Sequence, residues 1–505
     1  MIPISRGTPS TVRVREKLPL QAPAPGLYSG VLPASAKARP WLLAVVSGLL
    51  LTFSFPPFGL WPLAWFALVP LLLAVIEAPD AKAAANLGAV TGLVFYGASL
   101  HWLLHVFGFV APAFWCLFGV LLALHSALAW KTARLWLDQG KMGAWVAAVA
   151  VTWIGIEYFR SEVWKINCSW LALGYSQVPN GPLLQSCSLF GLYGLSGLIV
   201  AANAALYVLP RRRGPAARLA AAILILAVWG GLRMRAPDAG RPARVALIQD
   251  EDYNLARLDK LSLDGEAKDA DLIVWPEYGF VVPDNNQEAF RRFLMKGLKG
   301  TKAVAVLSGG IFPEDMKHGW EQNFSWALTP KGDLLGRYDK HHPIPFVEAR
   351  LPPNRTPAPI VTPLGVLGVQ ICYDLDFEDG PRLLQRLGAE ILVVPDLDPH
   401  EWGAWQHRQH SAMSPARAVE TGLWIARAAS SGVSQIVDPF GRVRGEIAPL
   451  ISGALVGEVR LASTGTFYTR VGWLLPKLCL ALTAGLLLWL AAAFYETRKV
   501  KSRIS

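Results

Sequence analysis

Three polar residues stand at or just beyond stretches that should end β-strands. Glu277 closes "DLIVWPE", Lys340 follows "LLGRYD" and Cys372 follows "GVLGVQI". In α/β sheets, ligand sites gather at the carboxyl ends of strands. A cysteine attacks a carbonyl carbon as its thiolate, and a nearby cation favours that form. A carboxylate within reach can take the thiol proton, and an ammonium can stabilise a tetrahedral oxyanion. Glutamate, lysine and cysteine at three strand ends therefore describe acyl transfer through a thioester. Singly, each residue has a plainer reading. A buried cysteine is usually a small hydrophobe, and a charged loop residue is usually solvated. Their common placement in one domain raises them above that reading.

Strand patterns that could position the three recur between residues 241 and 469: 244–249, 270–277, 302–312, 323–330, 365–373, 389–396, 423–432, 433–439 and 454–460. Helical patterns lie between several of them, at 285–299, 379–388 and 403–421. This alternation predicts an α/β sandwich. "TPKGDLLGRYDK" and "DPFGRVRGEI" predict the turn and second strand of two hairpins. The near-continuous apolar runs predict strands covered on both faces.

The domain is set in a membrane frame. Hydrophobic residues make up 53% of the chain and charged residues only 17%, against about 25% charged in ordinary soluble proteins. Apolar stretches of spanning length fall at 41–55, 61–76, 86–107, 113–137, 143–159, 191–209, 216–232 and 471–494. The fold expected is a polytopic α-helical bundle of about eight spans plus one soluble domain. The divisions are a basic tail at 1–40, a seven-span region at 41–232, the soluble domain at 241–469, a last span at 471–494 and a basic tail at 495–505. The net charge of +11 could suggest nucleic acid, but the basic residues cluster beside apolar segments. Arg6, Arg13, Arg15, Lys17, Lys37 and Arg39, Lys131, Arg134 and Lys141, Arg211 to Arg213 with Arg218, and Arg498, Lys499, Lys501 and Arg503 all fall on one face of an eight-span chain. By the positive-inside rule both termini are cytoplasmic and the 241–469 domain lies outside. No nucleic-acid partner and no signal peptide are expected.

Five scattered cysteines make no disulfide framework, and Cys116 and Cys479 are expected as small core residues of their spans. The apolar connection at 160–190 is open to two readings, an irregular packed segment or a wall of a lipid-facing cavity under the soluble domain. His400, His407 and His410 lack the ligand set of a catalytic zinc, so no metal is expected and a helix lining the site is the simpler reading. Arg417 and Glu420 have the spacing of a helical ion pair.

With "WPE", "YDKHH" and "ICYD" in this order, the domain resembles the nitrilase, or carbon–nitrogen hydrolase, superfamily. "FPPFGLWPLAWFALVPLL", "SWLALGYSQ" and "GLYGLSGLIVAANA" resemble the membrane part of one branch, the bacterial apolipoprotein N-acyltransferases. The resemblance implies an αββα nitrilase-like sandwich facing the periplasm on an inner-membrane bundle. It also implies a reaction without a cofactor. Cys372 would take the sn-1 acyl chain of a glycerophospholipid as a thioester and pass it to the α-amino group of a diacylglyceryl-cysteine apolipoprotein. This is the third step of lipoprotein maturation, carried out by a monomer. Glu277 would be the base and Lys340 the oxyanion stabiliser. Glu348 matches a second family glutamate, and Tyr373 the residue after the nucleophile. Trp275 and Asn323 sit in matching strand contexts. The family usually has glutamate where Asp374 stands. It has Gln-Gly-Asn where this chain has Gln249-Asp250-Glu251, and Asn-Asp-x-Trp-Phe-Gly where it has "PDLDPHEWGAWQ". It has Asn-Thr-Gly where this chain has Ser430-Ser431-Gly432. The loop at 395–406 is expected at the substrate mouth. A membrane-anchored amidohydrolase, with water in place of the amine, and an acyltransferase with another amine acceptor use the same trio.

Overall fold

The computed structural model describes residues 34–252, 254–282, 287–311, 322–348 and 356–504. Of the tail expected at 1–40, residues 1–33 lie outside the described residues, as do the side chains of 497–505.

Among the described residues, five helices are long and apolar enough to cross a bilayer: Leu103–Trp136, Met142–Val163, Cys187–Val208, Arg213–Arg233 and Tyr468–Glu496. Three further stretches expected to span are helical but interrupted or less apolar. Of the stretch 41–55, all but Phe55 falls within helix Ala34–Ser54. Residues 61–76 divide into a 3-10 turn, Trp61–Trp65, and helix Val69–Ile76. The stretch 86–107 is not one helix. It divides into Ala81–Ser99 and Leu103–Phe107, because polar groups stabilise the break. Gln409 donates to the Ser99 carbonyl left open at the helix end (3.0 Å) and accepts from the Trp102 indole (3.0 Å). Gly92 lies against Gly119, where a Cβ would approach the Gly119 Cα to 2.6 Å, so helices 81–99 and 111–136 touch backbone to backbone, as small residues permit in membranes. Leu224, Ile225 and Val228 stand exposed on the outer face of Arg213–Arg233, as a lipid-facing surface requires. Cys479 is buried as expected, whereas Cys116 is exposed on its helix rather than packed in the core.

The soluble domain holds two six-stranded sheets. The first comprises β1 (Arg241–Gln249), β2 (Leu272–Val274), β3 (Val304–Ile311), β4 (Gln322–Leu328), β5 (Leu334–Asp339) and the late strand β12 (Gly453–Leu461). The second comprises β6 (Ile360–Val361), β7 (Val366–Val369), β8 (Ile391–Asp396), β9 (Trp424–Ala429), β10 (Ser434–Val437) and β11 (Val443–Ile447). Each has a parallel centre, β1–β2–β3 or β7–β8–β9, flanked by antiparallel strands. Both predicted hairpins form, as β4–β5 and β10–β11. Alternate residues of the two sheets meet in one core, including Val245, Val274 and Val306 from one side and Val369, Val393 and Ala426 from the other. Opposite residues pack outward on helices: Ile273 and Leu307 with Leu258 and Leu294, and Leu392 and Ile425 with Leu384 and Ala418. The layers are therefore αββα.

The helix expected over 403–421 is two helices, Gly403–Ser411 and Met413–Thr421. Its second half packs on both parts of the molecule, since Met413, Ala416 and Val419 belong to the apolar cluster of the membrane helices. Arg417 and Glu420 form the expected pair (2.5 Å) and hold much more. The fully buried guanidinium donates to the carbonyls of Leu375 (3.0 Å) and Asp376 (2.6 Å) and to the Tyr175 hydroxyl (3.1 Å), while Glu420 accepts from Leu192 N–H (2.7 Å). Removing one partner of a buried pair leaves an uncompensated charge, at a cost of about 3–5 kcal/mol. Arg417→Met is therefore expected to lower the thermal unfolding midpoint of the detergent-solubilised protein sharply. A midpoint equal to wild type would show that the pair does not join the two parts.

Candidate active site

Glu277, Lys340 and Cys372 come together at one end of the sandwich, each supplied by a short excursion past a strand. Glu277 lies three residues beyond β2, and its N–H reaches the Asp396 carbonyl at the end of β8 (3.3 Å), tying the sheets together at the site. Lys340 directly follows β5. Cys372 does not close its strand as the sequence suggested. β7 ends at Val369, and Cys372 opens a 3-10 turn, Cys372–Asp376, with φ of +49°. Tyr278, next to Glu277, has φ of +55°. Left-handed backbone at residues other than glycine is a strained state that persists only where the surroundings impose it. Here it turns the thiol out of the sheet direction.

Lys340 is buried, and its Nζ lies 2.8 Å from both Glu277 Oε1 and Glu348 Oε2. Asn323 donates to Glu277 (2.6 Å) and Glu348 (3.0 Å), and the Tyr278 hydroxyl donates to Glu348 (2.8 Å). The two carboxylates keep the Lys340 ammonium charged against the pull of burial. Burial pushes Glu277 up to about 7, opposed by Lys340 and reinforced by Glu348. Burial, with the carboxylates of Glu277 and Asp396, also raises the Cys372 thiol, while Lys340 lowers it. The resting group is thus a thiol that needs a base, beside a carboxylate able to change protonation near neutrality. Its Sγ sits 3.7 Å from the Leu397 carbonyl.

The remaining expected residues divide. Glu348 and Asn323 join the trio directly. Tyr373 donates to the Asn167 carbonyl (2.5 Å) and lines the adjoining cavity. Asp374 is fully buried and positions the others. It accepts from the N–H groups of Ile371 (3.0 Å), His341 (3.3 Å) and His342 (2.5 Å) and from the Tyr338 hydroxyl (2.9 Å), which locks the cysteine turn to the chain after Lys340. Trp275 must be corrected. Next to Val274, which faces the inner core, it points to the opposite face of the sheet, packs with the outer helices and donates to Ser262 Oγ (2.9 Å). Strand alternation takes it away from the site.

A network missed in the sequence adjoins Cys372. A His410 ring nitrogen, an Asp396 carboxylate oxygen and the Cys372 Sγ all lie within 4.8 Å of one another. His410 bonds Asp398 (2.7 Å) and Asp376 (3.1 Å), and Arg427 bonds Asp396 (2.7 Å) and Asp398 (3.0 Å). Burial and Arg427 would keep His410 neutral, but its carboxylates outweigh them and raise it to about 10. Both His410 ring nitrogens lie against carboxylates, and Arg427 Nη2 lies 2.8 Å from Nδ1. His407 is buried with its Nε2 near the Pro399 carbonyl (3.0 Å). Only the spacing of His407 and His410 hinted at this cluster; its acids come from two separate segments, the cysteine turn and the end of β8 with the loop after it.

An apolar cavity of about 100 Å³ opens beside Tyr373. Trp102, Phe114 and Phe118 from the membrane part line it with Cys168 and Trp170, and Phe346 and Trp402 come from the soluble domain. Both readings of the 160–190 connection therefore apply in part. Residues 166–170 wall the cavity, while Leu173, Tyr175 and Leu184 are packed in the core. Trp170 stacks on His410 and donates to Asp376 (2.6 Å), linking cavity wall to nucleophile turn.

If Asp374 acts through these four acceptor contacts, Asp374→Asn turns a donor amide toward backbone donors. A loss of about 1–3 kcal/mol is expected for the groups left unsatisfied, measurable by unfolding in detergent. Unchanged stability would separate Asp374 from the lock assigned to it.

A family model described as the apolipoprotein N-acyltransferase N-terminal domain matches residues 47–205, and one described as carbon-nitrogen hydrolase matches residues 243–468. An apolipoprotein N-acyltransferase of Geobacter metallireducens is 33% identical over 500 residues, covering 88% of this chain and 94% of that protein. One of Pseudomonas aeruginosa is 31% identical over 472 residues, covering 83% and 89%. Among solved structures, Saccharomyces cerevisiae Nit3, of the nitrilase superfamily, is 22% identical with a TM-score of 0.37, covering 44% of this chain and 90% of that one. With both parts of the chain matched in their proper order, and a full-length relative one-third identical, the chain belongs to the apolipoprotein N-acyltransferase family.

Proposed function

We propose that this chain acylates the α-amino group of diacylglyceryl-cysteine apolipoproteins, with Cys372 carrying the sn-1 acyl chain of a glycerophospholipid between the two substrates. The observation that carries the reading is the juxtaposition of the buried Glu277–Lys340–Glu348 cluster and Cys372 with an apolar cavity whose walls come from both membrane and soluble segments. Glu277 takes the thiol proton as Sγ attacks the ester carbonyl, and Lys340 stabilises the oxyanion. Collapse of the tetrahedral adduct breaks the ester C–O bond. The proton returns from Glu277 to the leaving oxygen, and a lysophospholipid departs. The acceptor amine then attacks the thioester, the amide forms, and the proton lost by nitrogen restores the thiol. The cavity has room for part of an acyl chain, and its open side lets the remainder follow the lipid-facing helices. Tryptophan and phenylalanine around the thioester keep water away while the amine arrives.

The same reading places eight spans in the inner membrane, both termini in the cytoplasm and the catalytic domain in the periplasm. Its divisions are 41–232 for the first seven spans, 241–469 for the catalytic domain and 471–494 for the last, and it takes the protein as a monomer. The basic clusters and the apolar helices support this arrangement.

The deciding experiment labels the purified protein with phospholipid carrying a radioactive sn-1 chain, then adds a diacylglyceryl-cysteine peptide. Label should leave the protein and appear on the peptide. Discharge at one rate with and without peptide would mean that water is the acceptor, as in an amidohydrolase. Cys372→Ala should retain no label. Because a protonated Glu277 cannot accept the thiol proton, labelling should be lost as pH falls through about 7 and approach a plateau above it. Glu277→Gln should depress labelling by at least about a hundredfold, in the range of general-base effects, and abolish that limb. An unchanged pH profile in the variant would remove Glu277 from the role of base.

A further inference from the structure

Three of the four places where the sequence departs from the family pattern converge on one cavity. Asp250 and Glu251 follow β1, His400 and Glu401 lie in the loop after β8, and Ser430 and Ser431 follow β9. With Asp252 and Arg257 they line a polar cavity of about 410 Å³. Four carboxylates thus stand around one arginine. That arginine is already engaged, with its Nε 3.0 Å from Asp250 Oδ1 and an Nη on Asp252. Glu251 accepts the His400 N–H (3.1 and 3.2 Å), which fixes the loop against the cavity. Two buried polar atoms on the lining have no hydrogen-bond partner among the described residues: Ser430 Oγ and Asp250 Oδ2, in residues only 3% and 5% exposed. Buried polar atoms normally find partners. Here both belong to residues that line an open cavity.

The cavity adjoins the nucleophile. The segment that forms its wall at 400–401 passes Cys372 four residues earlier, where the Leu397 carbonyl meets Sγ. Four residues of chain span at most about 14 Å. The same segment sends Trp402 into the apolar cavity. It therefore separates a greasy chamber, walled by membrane helices, from a polar acidic one walled only by the soluble domain.

Resting on the function proposed above, we infer that the acidic cavity receives the acceptor's polypeptide just downstream of the modified cysteine and favours a basic side chain there. The occupant must be polar, cationic and connected to a group at Cys372, yet lie away from the lipid-lined chamber. A peptide leaving its lipidated end meets all four conditions. A phospholipid headgroup whose chain fills the apolar cavity meets only the first three. Lysine or arginine about two to five residues after the cysteine reaches the carboxylates and brings N–H donors to the wall on which Asp250 and Ser430 each carry an unpartnered atom. An acidic residue there meets like charge.

The test compares diacylglyceryl-cysteine peptides carrying Lys, Gln or Glu at the third to fifth positions as acceptors for the acyl-labelled full-length protein in detergent. At low salt the Lys peptide should discharge the label about tenfold faster than the Glu peptide, and the difference should shrink in roughly 0.5 M salt as screening shortens the field. In Glu251→Gln/Glu401→Gln the ratio should fall toward one; being internal to each variant, it does not depend on how much active protein is present. Equal rates for the Lys and Glu peptides with wild type would overturn the site, and so would an undiminished ratio in the double variant. A variant that alters headgroup preference in the labelling step, with the peptide ratio intact, would assign the cavity to the lipid and also overturn the proposal. Failure of all three peptides to discharge the label would count against the transferase reading instead. Equilibrium binding of the same peptides to Cys372→Ala then decides the cavity alone: a Lys-over-Glu preference upholds it, and equal binding ends it.

Discussion

The site depends on keeping one ammonium charged in the protein interior. Lys340 is buried, and an isolated charge there would be costly enough to lose its proton. Glu277 and Glu348 prevent that at 2.8 Å each, but two carboxylates around one ammonium create their own imbalance. Asn323 donates to both, and the Tyr278 hydroxyl donates to Glu348. One acid is then held toward neutrality by burial, which leaves a base able to cycle its proton. The αββα layers serve this arrangement. β2, β4 and β5 of one sheet deliver Glu277, Asn323 and Lys340, and β7 of the other delivers Cys372. The Glu277 N–H bond to the Asp396 carbonyl ties the two sheets together beside this cluster.

On the far side of the nucleophile the same problem is met differently. His410 and Arg427 supply two cations, and Asp376, Asp396 and Asp398 supply three acids, all buried. Buried networks of this kind are costly unless nearly every group is satisfied. Most polar atoms of these five side chains are paired, Asp396 Oδ1 and Arg427 Nε having no hydrogen-bond partner among the described residues, and the pairing restrains the segments that carry them. The consequence falls on the Cys372–Asp376 turn, held at its far end by His410 and Trp170 through Asp376 and at its near end by Asp374. A cysteine with φ of +49° needs such restraint at both ends.

Much of the site was legible in the sequence, because catalysis demanded unusual residue types at strand ends. "WPE", "YDK" and "ICYD" stood out for that reason, and Asn323 and Glu348 followed from the family resemblance. Trp275 did not belong, because a residue's place beside a motif says nothing about which sheet face it takes, and the pleat sends it to the outer core. The break of the 86–107 stretch was hidden because hydropathy cannot register a carbonyl capped by Gln409, a residue 310 positions away in sequence. The His410 network was hidden for a similar reason. Its members come from β8, the loop after it, β9, a helix and the cysteine turn, and only the fold brings them together. The sandwich was legible because strand and helix patterns alternate, and near-continuous apolar runs specify strands buried on both faces.

The soluble domain and the membrane helices are joined by bonds that converge on the Cys372–Asp376 turn. Tyr373, beside Cys372, donates to the Asn167 carbonyl, Asp376 accepts from Trp170, and Arg417 holds the Leu375 and Asp376 carbonyls while donating to Tyr175. Every residue on the membrane side of these bonds belongs to the connection at 160–190, and residues 166–170 of it also wall the apolar cavity. The wall that an acyl chain would touch and the turn that carries the thiol are therefore one hydrogen-bonded unit. A mobile cysteine could meet water as readily as an amine, whereas one fixed to the cavity wall stays in the dry part of the site. Bolting the turn to the membrane part accomplishes for a lipid substrate what a closing lid accomplishes for a soluble one. It also explains why so many buried polar bonds lie between two parts that apolar packing alone could have joined.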